Sequence, residues 1–345
     1  RVCIYMGMVP ELAFSVLACA RLGAIHSVIF GGFSAKSILD RLEDATAKFI
    51  ITMDAAQRGN KVISLKSIVD EALRGGYPIE KVLVLDYLNT PMELRSHDIL
   101  WADLYQKVIE EDSFDTLAET MESEDPLFIL YTSGSTGKPK GVVHSTGGYM
   151  VWTAFTFQNV FQFQPGDVHF CTADVGWVTG HSYLIYGPLL CGATTVMFEG
   201  VPNYPDSGRF WDIVDKHKVN IFYTAPTAIR SLMSAGDEWL EGKDLSSLRV
   251  LGSVGEPINQ EAWDWYHDKV GKGRCPIVDT FWQTETGGIM ISNLAGVTPQ
   301  KPVFATLPLP GVLPVLLDDK GQVIAENDLT GNLCFAQSWP SMIRT

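Results

Sequence analysis

Apolar residues recur along the chain in short unbroken runs, separated by stretches with helical spacing. The first run, residues 2–6 (Val-Cys-Ile-Tyr-Met), reads as a buried strand. Pro10 then opens a helical pattern that closes near Gly23, with proline in the first turn and glycine past the last. The order repeats. Ala24–Phe30 is strand-like, Ser34 caps a helix through Ala45, Lys48–Met53 is strand-like, Val62–Arg74 helical and Lys81–Asp86 strand-like. Continuously apolar strands alternating with helices predict a parallel sheet covered on both faces.

Residues 87–125 are polar and acidic, with little strand pattern, and read as a connection. A second β/α series follows, with strands expected at Leu127–Tyr131, Val168–Thr172, Thr194–Glu199, Asn220–Thr224, Arg249–Ser253 and Pro276–Phe281. From about Val303 the pattern changes. Val312–Leu317 and Gly331–Phe335 predict antiparallel strands, and Asp318-Asp319-Lys320-Gly321 a hairpin turn. The expected fold class is α/β. Residues 1–125 form a first parallel-sheet subdomain with its connection, 126–302 a second, and 303–345 the start of a small antiparallel β subdomain. Ligands on parallel sheets bind at the carboxyl ends of strands. The unusual sequences of this chain fall there, after Tyr131, Thr172, Ser253 and Phe281.

Composition narrows the function. Apolar residues make up 46% of the 345 and charged residues 19%, enough for a large core. A net charge of -14 argues against nucleic acid as a partner, because phosphate backbones are bound by clustered Lys and Arg. It leaves room for a nucleotide, which a few backbone N–H groups and one or two lysines hold locally. The 6 cysteines form no CxxC pair, and several sit in apolar runs, as expected of reduced thiols in a cytoplasmic protein. No apolar run approaches the ~20 residues of a membrane span, and no signal peptide is visible. The chain opens at Arg1 inside a strand pattern and is expected to be a piece of a longer polypeptide.

The strongest local signal runs from Tyr131 to Gly141, Tyr-Thr-Ser-Gly-Ser-Thr-Gly-Lys-Pro-Lys-Gly. Its glycines let the backbone turn tightly and present N–H groups to an anion; its hydroxyls add donors, and Lys138 and Lys140 add charge. This is the composition of a phosphate cradle, although a flexible Ser/Gly surface loop shares it. It lacks the spacing of a Walker A loop, and a proline follows Lys138.

The segment resembles the signature loop of the adenylate-forming enzymes, which include acyl-CoA synthetases, luciferases and peptide-synthetase adenylation domains. Further blocks match that family in order. They are Gly255-Glu256-Pro257 and Asp279-Thr280-Phe281-Trp282-Gln283-Thr284-Glu285-Thr286-Gly287-Gly288, with Phe281 where relatives usually carry Trp. Asp174-Val175-Gly176-Trp177-Val178-Thr179-Gly180-His181 and Phe198-Glu199-Gly200-Val201-Pro202-Asn203 are similar to the acetyl-CoA synthetase branch in particular.

The resemblance implies a fold of two α/β subdomains packed together, followed by a β-barrel subdomain. It also implies ATP, Mg²⁺ and coenzyme A as cofactors and co-substrates, with acetate as the acid. By it, Ser133, Gly134, Ser135, Thr136, Gly137 and Lys140 handle the β- and γ-phosphates, and Gly255, Glu256 and Pro257 line the adenine pocket. Asp279, Thr280, Phe281, Trp282, Gln283 and Thr284 surround the nucleotide, with Thr284 at the α-phosphate and Glu285 holding Mg²⁺. Thr132, Lys138, Thr284 and Glu285 are the expected catalytic residues. Trp177, Val178, Thr179, Val254 and Trp282 wall the carboxylate pocket, where a bulky indole leaves room only for a short acyl chain. Taken without the resemblance, Trp177 and Trp282 read as core, and His181 as a structural histidine with no proton-transfer role. Arg58, Gly59, Asn60 and Lys61, with Thr179 and Asn203, match positions that meet CoA; Asn60 and Lys61 stand where Gly and Arg are usual.

The family's C-terminal domain, with its catalytic lysine, has no counterpart before Thr345, so the segment alone is expected to bind nucleotide weakly and adenylate poorly. Three readings stay open: an acetate–CoA ligase, a ligase for propionate or another short acid, and a non-catalytic nucleotide-binding module.

Overall fold

The computed structural model describes residues 1–114, 116–132, 139–326 and 328–345. In chain order the first strands are β1 (Val2–Tyr5), β2 (His26–Val28), β3 (Phe49–Met53), β4 (Ala56–Arg58), β5 (Lys61–Ile63), β6 (Lys81–Leu85), β7 (Asp98–Leu100), β8 (Pro126–Thr132) and β9 (Lys140–Ser145). Seven of them form one sheet in the order β7-β6-β3-β1-β2-β8-β9, while β4 and β5 make a separate hairpin. Pairing in the large sheet is parallel except between β8 and β9. The expected helices between the first strands are present at Pro10–Arg21, Ala35–Ala45 and Leu65–Leu73, the last beginning later than expected because Val62 and Ile63 belong to β5. Ser34 caps the second of them, its Oγ accepting the Ser37 N–H at 3.3 Å.

The second sheet contains β10 (Val168–Cys171), β11 (Thr194–Val196), β12 (Ile221–Thr224), β13 (Val250–Val254) and β14 (Ile277–Thr280), in the order β11-β10-β12-β13-β14 and parallel throughout. Its strands are buried on both faces, which is why their apolar runs are unbroken. Successive side chains alternate between two cores. Ile221 and Tyr223 of β12, Val250 of β13 and Val278 of β14 join the core shared with the first sheet. Phe222, Leu251 and Ile277 face the other way, onto the helices Arg209–His217 and Pro226–Ala235. The central helix Thr146–Val160 and a π-helical turn at His181–Tyr186 fill the shared core with Tyr149, Trp152, Phe157 and Tyr183.

Two expectations differ from the structure. Leu127–Tyr131 was assigned to the second series, yet β8 pairs with β2 (His26 opposite Phe128) and completes the first sheet. An apolar strand reveals that both its faces are covered, not which sheet it joins. The connection 87–125 holds β7 and a helix at Trp101–Glu110. That helix carries apolar residues at helical spacing, Trp101, Leu104, Tyr105, Val108 and Ile109, yet none of them is buried, and Leu104, Tyr105 and Ile109 are exposed. At the other end, β15 (Pro314–Leu317) and β16 (Asn332–Phe335) pair antiparallel as expected. Asp318–Gly321 forms a turn that bridges Leu317 to Val323.

Candidate active site

A cavity of about 1070 Å³ opens at the carboxyl ends of β10, β12, β13 and β14, where β8 of the first sheet also ends. Parallel strands direct their carboxyl ends to one edge, and the loops leaving them carry the polar groups. Thr132 from the end of β8, Val254 and Gly255 from β13, and Trp282, Gln283, Thr284 and Glu285 after β14 all line it. So do Trp177, Val178 and Thr179 after β10, and Arg58 at the tip of the β4–β5 hairpin. Thr132 at the foot of the Gly-rich segment and Trp282–Glu285 of the later block therefore face one space.

The Gly-rich segment leaves and re-enters the sheet at this edge, since Thr132 and Lys140 are direct partners across β8 and β9. Ser133, Gly134, Ser135, Thr136, Gly137 and Lys138 lie outside the described residues. Lys140 is exposed at the start of β9 and is not among the lining residues.

The inner end of the cavity is apolar. Val178, Val254, Tyr223 and Trp282 are all buried there. The Trp282 indole packs edge-on to Tyr183, with ring centroids 4.9 Å apart. At the mouth, Trp177 is 54% exposed, leans on Phe30 at 5.9 Å, and shares that ring with the Arg58 guanidinium, 5.0 Å from its centroid.

The turn Thr284–Gly287 is fastened through its backbone. His144 Nε2 lies 2.8 Å from the Thr284 carbonyl. The Ile343 N–H donates to Glu285 at 3.4 Å. The Trp339 indole and the Ser341 hydroxyl donate to Thr286 at 2.9 and 2.5 Å. The Ser182 hydroxyl donates to Gly287 at 2.7 Å. Gly287 has φ +73°, and a Cβ there would meet the Ser341 carbonyl oxygen at 2.8 Å, so only glycine fits. The side chains of Gln283 and Glu285 are left exposed at the cavity.

Other expected residues stand behind the wall. Glu256 turns away: it accepts the Thr227 N–H at 2.7 Å and pairs with Arg230 at 2.8 Å. In this way its carboxylate caps the helix Pro226–Ala235, and the Thr227 hydroxyl and Arg230 hold it below the usual carboxylate range. Pro257, Asp279 and Thr280 do not line the cavity, and Phe281 lines a smaller neighbouring one of about 480 Å³. Burial pushes Asp279 up to about 6, and Asp174, whose carboxylate accepts the Gly176 N–H at 2.7 Å, likewise to about 6. Of the residues matched to coenzyme A, Arg58 and Thr179 reach the cavity, whereas Gly59, Asn60, Lys61 and Asn203 do not. Their two loops nevertheless touch. Glu199 accepts the Gln57 N–H at 3.2 Å, and a Cβ on Gly59 would rest 3.5 Å from Val201. His181 is fully buried, and burial lowers it to about 4.

A profile described as AMP-binding enzyme matches residues 1–343. The chain belongs to this family. Acetyl-coenzyme A synthetase of Rhizobium rhizogenes is 57% identical over 349 residues, spanning 100% of this chain and 53% of that protein. Acetyl-coenzyme A synthetase 2 of Pseudomonas aeruginosa is also 57% identical, with the same coverage of both chains. The chain thus spans about half the length of the curated relatives it matches. The solved structure of acetoacetyl-CoA synthetase from Streptomyces lividans superposes with a TM-score of 0.89 at 25% identity, over 99% of this chain and 52% of that one. The α/β architecture is accordingly that of an acyl-CoA synthetase N-terminal region.

Within this AMP-binding family member, Tyr223, Thr172, Thr224, Thr227 and Ser231 line the cavity without having been singled out from the sequence. Position alone would have found the first three. They end β12 and follow β10, and strand tips of a parallel sheet are where ligands sit.

Proposed function

We propose that this chain supplies the nucleotide and acyl pocket of an AMP-forming acid–thiol ligase acting on acetate. The observation that carries this reading is the shared cavity: the foot of the Gly-rich segment at Thr132, the Thr284–Glu285 turn and the apolar pocket at Trp282 open onto one space. Identity of 57% to proteins named acetyl-coenzyme A synthetase supports the same substrate class.

The chemistry needs positioning and neutralisation of charge, because a carboxylate must approach a phosphorus ringed by negative oxygens. Acetate places its methyl group against Trp282, Val178 and Val254, and its carboxylate toward Thr179 and Thr284. Thr132, Ser133 to Lys138 and Lys140 hold the β- and γ-phosphates, and Thr284 orients the α-phosphate. Gly255 and Gln283 line the nucleotide's place. Among the described residues no three His, Cys, Asp or Glu side chains cluster to hold a metal by themselves. A single exposed carboxylate, Glu285, suits a Mg²⁺ ion that arrives with the triphosphate and takes its remaining ligands from phosphates and water. Bound there, Mg²⁺ supplies charge withdrawal from the departing pyrophosphate. The acetate oxygen displaces pyrophosphate to give acetyl-AMP. The CoA thiolate, entering past Arg58 and Trp177, then attacks the acyl carbon, and the bond to AMP breaks.

Exchange of labelled pyrophosphate into ATP by the full-length protein tests this reading. Exchange must depend on acetate and fall about 10²–10³-fold in Glu285→Gln, the usual cost of removing one charge-stabilising group. Exchange that is absent, or indifferent to both acetate and Glu285, overturns it.

A further inference from the structure

Trp282 does not hold its place by packing alone. Its indole N–H lies 3.2 Å from the Tyr223 hydroxyl, which lies 2.7 Å from the Thr280 hydroxyl, which lies 2.8 Å from the Ser253 carbonyl. The middle contact has no direction of its own, but the ends do. An indole only donates and a carbonyl only accepts. Thr280 therefore spends its proton on Ser253, Tyr223 donates to Thr280, and the Tyr223 oxygen is left to accept from Trp282. Burial pushes the Tyr223 phenol well above its ordinary value, so the proton the chain requires stays in place.

Tyr223 is itself fixed. It is fully buried, and the Phe161 ring lies edge-on to it at 4.9 Å. Gly252 makes room: a Cβ there would stand 2.4 Å from the Tyr223 ring. Tyr183, whose ring packs edge-on against both the indole and Tyr223, is locked by a second directed chain. Its hydroxyl accepts the Ile289 N–H at 2.8 Å and meets Thr156 at 2.7 Å, while Thr156 donates to the Trp152 carbonyl at 2.7 Å.

We propose that Tyr223 is a specificity-determining positioning residue: its hydroxyl pins the Trp282 indole and so sets the length of acyl chain the cavity admits. An indole that swings aside for a longer acid leaves its N–H unpaired in a buried, apolar place, and that cost opposes the longer substrate. Packing alone resists one methylene weakly, whereas an unmade hydrogen bond adds a second penalty. The inference rests on the acid-activating reading given above.

Pyrophosphate exchange by the full-length protein with acetate, propionate and butyrate decides it. In Tyr223→Phe the preference for acetate over propionate in kcat/KM should fall about five- to fiftyfold, the range expected for releasing a buried donor. Introduced into Trp282→Phe, which has no N–H to pin, the same change should leave the ratio unaltered; a merely structural defect would not show that dependence. Thr280→Val, which removes the next link, should shift the ratio the same way by less, and it serves if Tyr223→Phe does not fold. Wild-type protein that prefers acetate, alongside Tyr223→Phe or Thr280→Val with an unchanged ratio, overturns this inference and leaves the ligase reading standing. Wild-type protein that activates no small acid overturns both.

Discussion

At the inner end of the cavity the fixed element is a side chain: the Trp282 indole, held by the Tyr223 hydroxyl and the Tyr183 ring. At the neighbouring Thr284–Gly287 turn the fixed element is the backbone. All four carbonyls from Thr284 to Gly287 accept hydrogen bonds from outside the turn, and the side chains of Gln283 and Glu285 stay exposed. The two regions are adjacent in sequence yet fastened differently. A locked side chain makes a wall of fixed shape, suited to rejecting substrates by size. A locked backbone with free side chains fixes where ligand contacts start and lets them adapt to a ligand whose charge changes during reaction. The difference separates selectivity from rate, and mutations in the two regions should separate them too.

After the loss expected of Glu285→Gln, the largest effect should come from the wall. Trp282→Ala in the full-length protein removes the apolar contact for a methyl group and opens room for a longer chain. Acetate-dependent exchange should fall about ten- to two-hundredfold, the span expected for losing the apolar contact to a single methyl group. Exchange with butyrate should exceed that with acetate. A uniform loss with every acid would place the selectivity elsewhere.

Acid should loosen the interior beneath both regions. Burial holds His144, His169 and His181 down to about 4 and His26 well below its ordinary value. Each is charged more readily in the unfolded chain, so its contribution to stability is present above about 6.5 and lost as pH falls toward 4. Asp174 and Asp279, pushed up to about 6, act in the opposite sense: the folded form takes up their protons first, and their contribution is lost as pH rises through 6. Between pH 5 and 6 four histidines outweigh two carboxyls by about two protons. Unfolding free energy, followed by urea titration, should drop on the order of 2–3 kcal/mol per pH unit across that window. A flat profile would mean that these histidines are already charged in the fold.

The wall and the turn were legible from the sequence to different degrees. Trp282, Thr284 and Glu285 sit in one contiguous block after a strand, and Val254 and Gly255 follow another, so strand ends and local spacing brought them together. Their supports were not legible. Tyr223 is separated from Trp282 by 59 positions, Ser182 from Gly287 by 105 and His144 from Thr284 by 140. Local periodicity holds no record of such contacts, which depend on how the sheets pack. The same blindness misplaced β8, whose apolar run fits either sheet; the helix Trp101–Glu110, in contrast, carries apolar residues at helical spacing within a stretch that its polar and acidic surroundings made read as a connection. Glu256 shows the reverse case. It belongs to a recognisable tripeptide, yet its carboxylate is occupied with Thr227 and Arg230.

The sharpest separation should come from His144. It lies on β9, the strand that leaves the Gly-rich segment; its Nε2 lies 2.8 Å from the Thr284 carbonyl, and its ring packs beside Gly287 of the same turn. A carbonyl only accepts, so Nε2 carries the proton and the neutral ring acts as a fixed strut between β9 and the Thr284–Gly287 turn. Burial favours the neutral form. His144→Ala should slow acetate-dependent exchange about tenfold by letting Thr284 drift from its place, as small misplacements of reacting groups do. His144→Gln, which retains an N–H donor, should recover part of the rate. In both variants the acetate-to-propionate ratio should stay within about twofold of the wild-type value, because Trp282 keeps its own hydrogen bond to Tyr223 and its packing on Tyr183. A change in that ratio as large as the change in rate would show that wall and turn move as one body, and the division between selectivity and rate would fail at its most direct test.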